Sequence, residues 1–220
     1  SQQLPLFLSA YIKVFSTEPD KFKLLIKKYL TFAVRRNVFM GKSPSEFEEE
    51  HSSWAINLRT DPNKIDEIIL TLEREIKRTN SIADQLSKGL ELRDKHAKYI
   101  LWKINDTITP TSLMKCWRND PTLEHIIPKN PESWWETQLV NKRIKHEEVI
   151  NRLGNLTLLS NKENQELGNI EFPIKLEKYL RTELPLNMKT FQGINDFGSD
   201  EIKKREAILS NLISQNNIWE

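Results

Sequence analysis

Apolar residues recur at helical spacing through the first half of the chain, then give way to short apolar runs broken by Asn, Gly and Pro. Ile65, Ile68, Ile69, Leu72 and Ile76 fall at i, i+3, i+4, i+7 and i+11, which puts one buried stripe on an amphipathic helix. Residues 20–39 carry Phe22, Leu24, Leu25, Tyr29, Leu30, Phe32, Ala33 and Val34. They are apolar around the whole circumference, so this helix belongs at the centre of a bundle, and Arg35 and Arg36 in its last turn suit a helix C-terminus. Ala97, Ile100, Leu101 and Ile104 predict another helix over 92–105. The starts are punctuated: Ser43-Pro44-Ser45-Glu46 combines an N-cap hydroxyl, a first-turn proline and a glutamate three residues after the cap, and Asp61-Pro62 repeats the signal. From Leu4 to about Asp106 the chain reads as helical throughout.

The texture then changes. Thr107 to Pro110 reads as a linker, which divides the chain into a helical bundle over 1–106 and a second domain over 107–220. In the second part, Thr122 to Ile127 and Asn155 to Leu159 predict two short strands. Between them lie a helical turn or two over Trp134 to Leu139 and a short helix over Lys145 to Leu153, ended by Gly154. Leu176, Tyr179 and Leu180 place a helix after Pro173. A last helix begins at Ser199-Asp200-Glu201 and buries Ile202, Leu209, Leu212 and Ile213. The fold class is α+β, mostly α.

Composition narrows the function classes. The chain of 220 residues is 38% hydrophobic, enough for a real core, and no apolar run approaches the ~20 residues of a bilayer-spanning helix. Neither membrane insertion nor secretion is indicated. Cys116 is the only cysteine, so an intramolecular disulfide and a four-cysteine zinc ribbon are both excluded, and a reducing cytoplasm is the natural setting. The first residue is Ser rather than Met, as in a processed product or a fragment of a longer protein. A net charge of +2 does not announce nucleic acid, so any field that binds DNA must come from local clustering.

Candidate chemistry is concentrated in Glu124-His125-Ile126-Ile127-Pro128, Leu153-Gly154-Asn155-Leu156-Thr157-Leu158-Leu159 and Asn164 to Asn169. Hydrolysing a phosphodiester needs a base for water, a cation to stabilise developing charge, and a scaffold that holds both. The His125 imidazole titrates near neutrality and can take the proton. Glu124 and Asn164 offer the hard oxygens that Mg²⁺ prefers. Asn155 opens the second strand, and its amide can tie the loop after the first strand and so orient His125. Successive strand residues point to opposite faces, so for Glu124 and His125 to share a pocket the strand must bend or bulge there.

These motifs, together with Trp134-Trp135, Phe172 and Lys175, resemble the C-terminal HNH nuclease domain of GmrSD-type, type IV modification-dependent restriction enzymes, shared with related antiphage, phosphorothioate-sensing proteins. Ala33-Val34-Arg35-Arg36-Asn37, then Gly41, Ser43 and Phe47, resembles the helical segment that joins the nuclease to an N-terminal nucleotide-dependent sensor domain in that family. The resemblance implies a ββα-metal fold with one catalytic Mg²⁺ or Mn²⁺. It implies His125 as general base, Asn155 as the fixing residue, and Glu124 and Asn164 as metal ligands, where Asp and His are commoner in the wider superfamily. It also implies a DNA substrate and the sensor domain as partner in the same or another chain. Nicking is the default expected of a monomer, and a double-strand break needs two sites, from a homodimer or two successive events. The sensor's nucleotide-handling motifs are absent from this sequence, so NTP hydrolysis is not assigned to it.

Lys129, Arg152, Lys162 and Lys175 lie near the motif in sequence and are candidate phosphate contacts. Trp134 and Trp135 can stack on a base, but core packing is the plainer reading. His51, His96 and His146 lack comparable company, and His146 reads as a solvated surface residue. Two other functional readings stand beside the endonuclease: a DNA- or partner-binding module inactive without its sensor domain, and a helical interaction scaffold in which Glu124-His125 is incidental.

Overall fold

A computed structural model describes residues 2–79, 81–109, 121–182 and 184–219. The chain divides into two compact units, Ser1–Ile82 with Trp219–Glu220, and Ala83–Ile218. The second unit includes the helix that the sequence places before its domain boundary. Pro110 and Cys116 lie outside the described residues.

The first unit is built from α1 (Leu4–Lys13), α2 (Pro19–Ala33), α3 (Glu48–Thr60) and α4 (Lys64–Arg78). Leu6, Ala10, Leu25, Phe32, Leu58 and the Ile65-to-Ile76 stripe form its core. The helix expected over 20–39 is α-helical only to Ala33, and the turns over Val34–Phe39 widen into a π-helix. From within it, Arg36 donates to the Ser43 carbonyl and to Glu46, the two residues of the capping box that starts a 3₁₀ turn at Pro44–Phe47.

The second unit carries α5 (Ile82–Ser87, whose first residue closes the other unit), α6 (Asp94–Ile108) and a two-stranded antiparallel sheet of β1 (Thr122–His125) and β2 (Leu156–Leu159). Thr107 and Ile108, read as linker, are the last residues of α6. Between the strands lie α7 (Trp134–Asn141) and α8 (His146–Val149). After them come α9 (Asn161–Leu167), α10 (Phe172–Arg181), α11 (Pro185–Phe191) and α12 (Ser199–Gln215). Ile126, Ile127, Trp135, Leu159, Phe172, Tyr179 and Ile202 pack into one core. Trp135 is thus a core residue, and its indole N–H donates to the Ile170 carbonyl at 3.0 Å.

The helix expected to run from Lys145 to Leu153 stops at Val149, and a 3₁₀ turn over Leu153–Asn155 leads into β2. Close packing requires glycine in that turn: a Cβ on Gly154 would lie 2.1 Å from the Ile202 carbonyl oxygen of α12. Also from α12, Arg205 is fully buried and donates to the carbonyls of Gly154 and Leu156. Among the described residues, no helix is long and apolar enough to cross a membrane.

Candidate active site

The hairpin register decides where the two central side chains point. Thr122, Leu123, Glu124 and His125 pair in unbroken order with Leu159, Leu158, Thr157 and Leu156. Without an extra residue in either strand, Glu124 and His125 project to opposite faces. The bend expected to bring both into one pocket is therefore not present in the paired strand.

On the Glu124 face, Lys175 and Tyr179 reach in from α10. Glu124 Oε1 accepts from Lys175 Nζ at 2.8 Å and from the Tyr179 hydroxyl at 2.9 Å. Lys175 Nζ also donates to the main-chain carbonyls of His125 at 3.3 Å and Ile126 at 3.2 Å. Lys175 is wholly buried and Glu124 only 4% exposed. Burial pushes the Glu124 carboxyl up and the Lys175 ammonium down from their ordinary values, and their mutual attraction opposes both changes. Lys175 is thus a brace for the end of β1. With its ammonium enclosed, it is not the phosphate contact expected from sequence.

His125 ends β1, is 8% exposed, and has a buried Nε2 without a hydrogen-bond partner among the described residues. Burial first, and then the charge of Lys129, push its pKa down to about 4, against a smaller opposing effect of Asp94. The imidazole is neutral at physiological pH. Asn155, fully buried in the turn before β2, fastens the residues that follow: its Oδ1 accepts from the Ile127 N–H at 2.9 Å, and its Nδ2 donates to the carbonyls of Ile127 at 3.2 Å and Ile150 at 3.1 Å. The Ile126 N–H completes the lock on the Asn155 carbonyl at 2.9 Å.

Asn164 sits on α9, which a Ser160–Glu163 capping box starts. Its Nδ2 donates to Thr122 Oγ1 and to the Leu123 carbonyl, both at 2.9 Å, and so ties α9 to β1. The Glu124 and Asn164 pair does not fit a divalent cation as arranged. The Glu124 carboxylate already meets an ammonium and a phenol in an enclosed space, and a cation there would face the Lys175 charge. Among the described residues no group of three or more His, Cys, Asp or Glu side chains gathers where a metal ion could sit.

Residues 71–212 match the family model described as GmrSD restriction endonucleases, C-terminal domain. The chain belongs to this family. Searches of curated proteins and of solved structures found no match. As a GmrSD C-terminal domain, the chain is a nuclease module of a restriction enzyme.

The basic residues of this GmrSD domain divide into two kinds. Arg152 is turned inward and makes a two-pronged ion pair with Glu206 of α12, so it too departs from the expected phosphate contact. Lys129 is half exposed and binds Asp94 Oδ2 at 2.5 Å, while Lys162 is almost fully exposed. His146, read as solvated surface, instead donates from Nε2 to the Pro128 carbonyl at 2.8 Å and pins the loop beside His125. Sequence reasoning passed over Asp94, Tyr179 and Glu206. Each lies far along the chain from its partner, and an acidic residue opening a helix or a tyrosine on a buried face gives no local sign of such a role.

Proposed function

We propose that the chain hydrolyses DNA phosphodiesters as the cutting module of a restriction or antiphage protein, with His125 as general base and Asn155 as the residue that holds the loop beside it. The observation that carries this reading is an imidazole kept neutral at a strand end, in a hairpin whose following loop is locked by Asn155. His125 takes the proton of a water that attacks phosphorus in line, and the departing 3′ oxygen leaves 5′-phosphate and 3′-hydroxyl ends. A monomer nicks one strand. A double-strand break takes two sites, supplied by a homodimer or by successive events in the cytoplasm. The ββα-metal architecture is part of this reading, and Mg²⁺ or Mn²⁺ is the cation that nucleases of this kind use. Glu124 and Asn164 do not fit it as arranged.

The enclosed Glu124–Lys175 pair favours a second reading, in which the module binds DNA or a partner and cuts only when joined to its nucleotide-dependent sensor domain. A plasmid-nicking assay with Mg²⁺ or Mn²⁺ separates the two. Metal-dependent nicking that falls by about 10²-fold or more in His125→Ala, with an unchanged circular dichroism spectrum, supports the enzyme. Retention of DNA without cleavage by the unsubstituted chain supports the binding module.

A further inference from the structure

Among the described residues, His125 Nε2 is buried without a hydrogen-bond partner, and a buried polar atom left unpaired calls for a physical reason. The carboxylate of Asp94, the first residue of α6, places Oδ1 3.9 Å from this nitrogen. Its other oxygen, Oδ2, is held by Lys129 Nζ at 2.5 Å. Lys129 follows Pro128, whose carbonyl is pinned by His146. The result is a carboxylate anchored by one oxygen from the loop that follows β1, with its second oxygen turned towards the orphaned nitrogen.

We propose that Asp94 is the positioning residue of His125: it accepts the Nε2 proton, which fixes the ring's orientation and leaves the Nδ1 lone pair to take a proton from water. This rests on the reading of His125 as general base. At 3.9 Å the contact is longer than a hydrogen bond. Asp94 is about half exposed, with Oδ1 outside the Lys129 contact, so its side chain can turn to close about 1 Å, as catalytic contacts commonly do when substrate binds. Asp94 on this account touches neither DNA nor the reacting atoms. It acts through the imidazole, in the manner of a carboxylate that sets a histidine's tautomer.

The decisive experiment uses the chain labelled with ¹⁵N-histidine. The His125 ring signals are assigned by their loss in His125→Ala, and their tautomer signature is followed with and without a DNA duplex. The expected result is the Nε2–H form in the unsubstituted chain and in Asp94→Asn, which keeps an acceptor oxygen, and a mixed or Nδ1–H form in Asp94→Ala. In the nicking assay, Asp94→Ala is expected to lower kcat about tenfold or more without weakening binding to an uncut duplex measured by fluorescence anisotropy in EDTA, and Asp94→Asn to recover most of the rate. An identical His125 ring signature in Asp94→Ala and the unsubstituted chain overturns the proposal. Undiminished nicking by His125→Ala overturns the general-base reading instead, while the ring signature still decides whether Asp94 holds the imidazole.

Discussion

Lys175 and Glu124, on α10 and β1, form a buried ion pair at 2.8 Å whose ammonium also caps the carbonyls of His125 and Ile126. The pair stands directly behind the proposed base, so it links the helix to the position of the strand end. Truncating Lys175 leaves a buried carboxylate and two carbonyls without their donor. Lys175→Met is expected to cost about 3–5 kcal/mol in chemical denaturation. The double variant Lys175→Met, Glu124→Gln should recover much of this, because the lone buried charge is removed. Glu124→Gln alone should leave the divalent-ion dependence of cleavage unchanged, and a shift in that dependence would make Glu124 a ligand after all.

Asn155 joins residues on both sides of the hairpin through three side-chain hydrogen bonds. Asn155→Ala leaves the buried main-chain groups of Ile127 without their partners and frees the half-buried Ile150 carbonyl, which should cost about 2 kcal/mol. Nicking should fall further than the loss of folded protein accounts for, because the loop beside His125 is freed. Equal specific activity of the folded variant and the unsubstituted chain would remove the orienting role.

The depressed pKa of His125 has a definite sign. A group at about 4 in the folded chain and at about 6.5 when unfolded binds its proton more readily after unfolding. Its contribution to stability is therefore complete above about pH 6.5 and is lost as pH falls towards about 4, a span of roughly 3 kcal/mol at most. The difference in stability between the unsubstituted chain and His125→Ala should shrink over that window. Nicking should likewise persist down to about pH 5, where an ordinary histidine would already be protonated. A loss of rate centred near pH 6.5 would contradict this.

Gly154 lies against the main chain of α12. A methyl group there meets a carbonyl oxygen rather than a flexible side-chain end, so relief requires the turn and the helix to separate. Gly154→Ala is expected to destabilise the fold by about 3 kcal/mol, read as a lower midpoint of urea unfolding. A change within 0.5 kcal/mol, roughly what a neutral surface substitution gives, would mean that the turn yields easily.

Periodic features were legible from sequence: the Ile65-to-Ile76 stripe, the Ser43 start signal and the short apolar runs flanking His125 all correspond to elements of the structure. What local pattern does not carry is the direction of long charged side chains. Lysine and arginine are ordinarily solvated, so proximity in sequence made Lys175 and Arg152 look like phosphate contacts. Their partners, Glu124 and Glu206, lie 51 and 54 residues away. The strand alternation was readable as a difficulty for pairing Glu124 with His125, but only the register settles that the strand stays regular. Asp94 comes near His125 through the placing of α6, a tertiary effect without a sequence motif.

The unbroken hairpin register also limits how this protein can vary. Sliding β1 by a single residue along β2 would turn Glu124 away from its ammonium and drive the imidazole into the brace, undoing both faces together. Insertions and deletions between the strands must then be absorbed by the segment holding α7 and α8. Only its exposed positions are free to change, because Trp135 is packed in the core and His146 holds the Pro128 carbonyl beside the imidazole.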